Sequence, residues 1–124
     1  MVFAEIGDPF TPSRIAAAFA VVEDAPISLG VGGDIDRTFE FRLDTHVRAD
    51  GQVIVSFLLI RAESLQLEVT LNELSYTRDY SSGPERTVHE NIGAAAQRAN
   101  RLTLRVIQGS CRISDLVVWY QIQA

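Results

Sequence analysis

The chain has no lysine; all eleven of its basic residues are arginine. A lysine Schiff base and a lysine-dependent phosphate loop are therefore excluded. Cysteine is almost as scarce. With Cys111 alone there can be no intramolecular disulfide and no multi-cysteine zinc site. A thiol nucleophile needs a base beside it, and His46 and His89 are both remote from Cys111 in sequence, so Cys111 reads as a small loop-edge residue. No apolar run approaches the roughly twenty residues of a membrane helix. The opening "MVFAEIGDP" has neither the basic n-region nor the apolar core of a signal peptide. These absences predict a soluble, cytoplasmic protein with no membrane partner. The net charge of −5 speaks against nucleic acid as a partner, because phosphates reward a basic stripe.

What is present is an ordinary globular composition, 47% hydrophobic and 22% charged over 124 residues, with no repeat or low-complexity segment. One domain is expected: a covering segment over 1–36 and a sheet core over 37–124. In the first part, "DPFTPSRIAAAFAVVED" offers a polar cap, an early proline and an Ala-rich body. Ile15, Ala18, Phe19 and Val22 fall at helical spacing. A short N-terminal helix is the first expectation, and an extended segment packed on the core is the second, because Phe and Val also favour strands. Beyond residue 37 the period changes to two. "RTFEFRL" puts Phe39, Phe41 and Leu43 on one face, and "LQLEVTLN" does the same with Leu65, Leu67, Val69 and Leu71. Turns are expected at "RADGQ", Asn72-Glu73, "SSGP" and "IQGS". Many short strands at this spacing predict an all-β, antiparallel jelly-roll sandwich. Two strands, "QVIVSFLLIRA" and "DLVVWY", are apolar in both phases and need cover on the second face, from the helix or from another subunit. A homodimer burying part of one of them is expected.

The stretch "LEVTLNELSYTRDY" through "SDLVVWYQ" resembles the galactose-binding-like jelly-roll sandwiches, a group rich in carbohydrate-binding modules. Asn72 occupies the turn of a strand ending "lNg". Ala99-Asn100-Arg101-Leu102 stands at the "G-N-x-L" entry to a later strand, with the glycine replaced. Ile113, Asp115, Val117 and Tyr120 approximate the final strand. The resemblance spans about residues 37–123 and implies this fold, with glycan binding as the expected activity. It also implies a structural calcium between an early strand and the last one, for which Asp115 with Glu23 or Asp24 would be the ligands. Calcium wants six to eight oxygens, and Asp115 capping a strand entry is the competing reading. No cofactor is otherwise expected.

Other constellations are weaker. His89 and Glu90 are neighbours on a strand, so they face opposite ways and cannot serve one substrate. Asp44, His46 and Asp50 in "DTHVRAD" could ligate a metal but have no recognised spacing. "LGVGGD" is glycine-rich without a following helix and fails as a phosphate cradle. The serines of "SYTRDYSSG" lack a nucleophile elbow. Sixteen acidic residues make any glycosidase-like pair uninformative. Trp119, the sole tryptophan, is either a sugar-stacking platform or packed in a central strand.

These observations favour a non-catalytic ligand-binding module with carbohydrate as its ligand. The alternatives are a homo-oligomeric assembly subunit and a small sandwich enzyme (isomerase, cyclase or hydrolase). In an antiparallel sandwich alternate connections share an end. Those at 34–37, 62–65, 81–86 and 108–112 would gather Asp34, Asp36, Arg37, Tyr80, Glu85, Arg86 and Arg112. Binding residues concentrate on such loops, and the other end, with His46 and Arg98, has no aromatic ring. The expected ligand-binding residues are thus Asp34, Asp36, Tyr80, Glu85, Arg86 and Arg112, with Tyr80 supplying a ring face and the charged groups bridging hydroxyls.

Overall fold

Two strands carry the architecture. In the computed structural model, which describes residues 15–43, 46–48, 50–93 and 96–123, these are β4 (Val53–Leu71) and β7 (Ala99–Gln123). They pair antiparallel along most of their length. On the far side of β7 lie β1 (Ile15–Glu23), β2 (Ile27–Gly30) and β3 (Asp36–Arg42). On the far side of β4 lie β5 (Leu74–Tyr80) and β6 (Arg86–Gly93). The fold is all-β, every strand pairing is antiparallel, and no helix occurs among the described residues.

Turns were expected at 62–65 and 108–112. The chain instead passes through both as strand and bends by backbone conformation. Ser64 (φ 48) and Gly109 (φ 79) are left-handed neighbours on β4 and β7, and Gly30 (φ 96) ends β2 beside them. A Cβ on Gly109 would collide with the carbonyl oxygens of Glu63 and Ser64, and one on Gly30 with that of Gly109. Only glycine fits such a position. The β4–β7 register slips at the same place, between Glu63 and Leu67, which sharpens the bend. Along this line the sheet folds over on itself. One layer contains β1, β2 and β6 with the Val53–Leu59 part of β4, and the other contains β3 and β5 with its Leu65–Leu71 part. The two inner faces share one core: Val53, Val55, Phe57 and Leu59 meet Leu65, Leu67, Val69 and Leu71, all nearly inaccessible. Each such side chain contributes about 1.5–3 kcal/mol. The product is a sandwich made from one sheet.

The expected helix is replaced by a strand over the part that is described. Along Ile15–Glu23, Ala18, Ala20 and Val22 pack on the core while Ala17, Phe19 and Val21 face out, a period of two. Pairing with β7 decides the matter, because it satisfies the backbone and turns Ala18 and Ala20 toward the core. Residues 12–14 of the expected helix lie outside the described residues. Ile15–Glu23 and Ile27–Gly30 therefore enter the sheet as strands.

Both asparagines of the family-like motifs are structural. Asn72 (φ 56) opens the two-residue turn between β4 and β5. Its Nδ2 donates to Asn100 Oδ1 at 3.0 Å, and its Oδ1 accepts the Arg101 amide at 3.0 Å. Buried Asn100 also accepts from the Gln97 amide (2.8 Å) and donates to the Gln97 carbonyl (2.6 Å), closing the end opposite the bend. Asp115 does not cap a strand entry. It sits within β7 with φ 52, where the register slips opposite Phe57, and is the left-handed residue of a bulge.

Candidate functional site

The bend determines which expected residues meet. The β5–β6 connection, 81–85, crosses it on one edge of the sandwich, and the β2–β3 connection, 31–35, lies on the other edge. Between these edges run β4 and β7. Three inter-strand steps of about 4.8 Å put the two connections roughly 14 Å apart. Tyr80, Glu85 and Arg86 belong to the first edge, and Asp34 and Asp36 to the second. Arg112 lies on the outer face of the β2 layer, where its Nη1 donates to Ser28 Oγ at 3.1 Å. The six residues thus share an end of the molecule without forming one contact cluster.

The first corner is built by Arg86, whose Nη2 donates to the Ser81 carbonyl (2.7 Å) and Nη1 to the Pro84 carbonyl (3.1 Å). Its guanidinium is occupied in holding the loop. Tyr80 turns inward. Its ring meets Phe57 edge-on, with centroids 6.2 Å apart, and its hydroxyl donates to Glu90 Oε2 at 2.5 Å. Arg78 Nε lies 3.4 Å from the other oxygen of Glu90, whose side chain is only 12% exposed. The Tyr76 hydroxyl is buried beside that carboxylate. Burial first, and then Glu90, hold both phenols well above the ordinary tyrosine range. This cluster joins β5 to β6 across the open edge of the sandwich. As expected, His89 and Glu90 face opposite ways: His89 is exposed on the outer face.

The second corner is a tight loop: Gly30 donates to the Asp34 carbonyl (2.7 Å), Gly33 to the Gly30 carbonyl (2.9 Å) and Val106 to the Ile35 carbonyl (2.8 Å). Its apolar residues are outside, with Val31 91% and Ile35 64% exposed. Among the described residues, grooves lie between the corners. One, of about 620 Å³, is lined by Ser64, Leu65, Gln66, Asp79, Tyr80, Ser81 and Gln108. Another, of about 400 Å³, is lined mainly by Val31, Ile35, Val106, Ile107 and the glycines around them. The first is bordered by polar groups and the second is apolar, and Gln108 borders both. Ile107 and Gln108 escaped the sequence reading because "IQGS" looked like a plain turn, and Gln66 because it reads as an outward-facing polar position of "LQLEVTLN". The signal that could have found the apolar groove is Val31 and Ile35 flanking the glycines of "LGVGGDI", two β-branched residues in a loop.

The remaining candidates are placed elsewhere. Trp119 lies on the outer face of the β1 layer, 5.1 Å from the exposed ring of Phe19, with its indole N–H donating to Ser56 Oγ at 3.1 Å. Cys111 is a buried member of the core, with its thiol pushed up by burial to about 11. It is a protonated thiol at neutral pH, and not a loop-edge residue. Asp50 is paired through two hydrogen bonds, both 3.2 Å, with Arg48, which holds its carboxyl below the ordinary range. Asp44 lies outside the described residues. Glu23 pairs opposite Leu116, one residue from Asp115, and its carboxylate accepts the Ala25 amide at 3.3 Å. Among the described residues no three His, Cys, Asp or Glu side chains stand together as a metal-holding group.

No family model and no curated protein matches the chain. Solved structures do resemble it. Dimeric latent PorU from Porphyromonas gingivalis matches with 14% identity and a TM-score of 0.51 over 90% of this chain. The chain spans 12% of PorU's length. FLHE matches with 10% identity and a TM-score of 0.42, over 90% of this chain and 98% of that one. TmCBM61, solved in complex with beta-1,4-galactotriose, matches with 13% identity and a TM-score of 0.38, over 93% of this chain and 90% of that one. At such identities the PorU likeness bears on the fold alone.

Proposed function

We propose that this domain is a non-catalytic, galactose-binding-like module that holds an oligosaccharide across the bend, from the Tyr80 corner to the Val31 loop. The observation that carries the reading is the meeting of a polar and an apolar groove at Gln108. A sugar ring has an apolar C–H face and a rim of hydroxyls. Val31, Ile35 and Ile107 suit the face, while Asp79 and the amides of Gln66 and Gln108 suit the rim, since an amide both donates and accepts. The roughly 14 Å between corners favours a short chain over a single sugar. Of the residues expected from sequence, Tyr80 borders the site, Arg86 shapes the loop next to it, and Asp34 and Asp36 stand on either side of Ile35 at the apolar groove.

A glycan array followed by calorimetry tests this. Gln108→Ala should weaken the best binder by about 0.5–1.5 kcal/mol, the net worth of one hydrogen bond. Val31→Asp should weaken it further by placing a charge against the sugar's apolar face. Binding unaffected by both substitutions, or no binder among neutral glycans, would refute the reading.

A further inference from the structure

Among the described residues, five strands lie at the margins of the sheet, and four are blunted against further pairing. β2 is only four residues long, β3 carries Asp36, Arg37, Glu40 and Arg42, β5 carries Arg78 and Asp79, and β6 carries Arg86 and Glu90. Such shortness and charge are the usual protections of an edge. β1 has neither. It is nine residues long, "IAAAFAVVE", with no charge before Glu23 and no proline, and among the described residues it pairs only on its β7 side. Its register with β7 slips only at its end, between Val21 and Glu23. Beside it the outer face is apolar, with Phe19 58%, Val21 56% and Trp119 39% exposed.

We propose that β1 is a self-association edge, whose occupant is β1 of a second copy running antiparallel to it. The strand is self-complementary. With the two-fold axis at Phe19, Phe19 faces its own copy, Ala17 faces the second copy's Val21, and Ala18 faces the second copy's Ala20. Small residues then meet larger ones on the outer face, and alanines meet on the inner. Because Phe19 already lies 5.1 Å from Trp119, the joined sheets carry a row of four aromatic rings across the junction. Cross-strand aromatic pairs of this kind stabilise antiparallel strands. Charge favours the same edge: two copies at −5 each repel, and β1 lets them meet along an uncharged strip. An unrelated strand would find backbone partners here but no such match of side chains. The interface is a ladder with one flanking row of rings, so association belongs to the weak class of interfaces.

Sedimentation of the full chain from about 1 to about 200 micromolar should show a reversible monomer–dimer equilibrium. Phe19→Arg and Phe19→Asp, both at an exposed position, should each weaken self-association at least about tenfold by placing like charges opposite one another. Mixing the two variants should restore it, because opposite charges then face across the axis. Hydrogen exchange on the wild type should show β1 amides gaining protection with concentration. A monomer throughout the range would overturn the proposal. So would a dimer indifferent to both substitutions, variants that fail to recover on mixing while remaining folded, or a dimer whose β1 amides exchange as in the monomer.

Discussion

Glu90 offers the most exacting test of how the sandwich is held closed. Its carboxylate is 12% exposed, accepts the Tyr80 hydroxyl at 2.5 Å and lies 3.4 Å from Arg78. The hydrogen bond to a charged acceptor is worth about 1.5–3 kcal/mol. Arg78 is 57% exposed, so its ion pair is screened and adds about 0.5 kcal/mol at most. Glu90→Ala should therefore cost about 2–3 kcal/mol in urea unfolding, because it also strands the Tyr80 hydroxyl. Tyr80→Phe should cost less, and the double variant should show a coupling of about 1–2 kcal/mol. The same cluster sets a pH dependence. Both Tyr76 and Tyr80 are held above their ordinary value of 10.0 in the fold, so the folded state prefers the neutral phenol. Their contribution is complete below pH about 10 and is lost as the unfolded chain's tyrosines ionise above it. Stability should fall on the alkaline side, and Tyr80→Phe should flatten that fall. A cost below about 0.5 kcal/mol for Glu90→Ala, or no coupling to Tyr80, would refute the reasoning.

Two further outcomes follow from the bend and the core. Gly109→Ala should be severely destabilising, by about 3 kcal/mol or more, since the left-handed backbone and two carbonyl oxygens both oppose a Cβ. Gly32→Ala has the same backbone sign but open space around it, and should cost only about 1 kcal/mol in the same denaturation assay. Cys111 should resist an aromatic disulfide reagent at neutral pH in the native protein and react at once in denaturant. Rapid native labelling would show that the core around it is not closed.

The sequence made the alternation of β3 and of the second half of β4 plain, because Phe39, Phe41 and Leu65–Leu71 obey a strict period of two against polar partners. The turn at Asn72-Glu73 was equally plain. The bend was not. Ser64 and Gly109 look like ordinary turn residues, and only their juxtaposition across β4 and β7, a pairing remote in sequence, makes a fold line of them. The N-terminal strand was ambiguous for a local reason: in an Ala-rich run, spacing of three or four and spacing of two select overlapping residues. Tyr80 was expected at a rim, and its ring borders the polar groove, yet its hydroxyl is committed to Glu90. Alternation shows that His89 and Glu90 oppose one another but not which of them faces inward. That choice depends on Val55 and Phe57 across the ladder, opposite Glu90 and Val88.

The proposed ligand path is tested most directly by amide chemical shifts of the isotope-labelled chain titrated with a panel of defined oligosaccharides. A binder should give saturable shifts that run from Tyr80 and Ser81 through Gln108 and Gly109 to Val31 and Ile35, with the outer face around Phe19 and Trp119 unmoved. Saturable shifts centred on Phe19 and Trp119, or at the Asn72–Asn100 end, would contradict it.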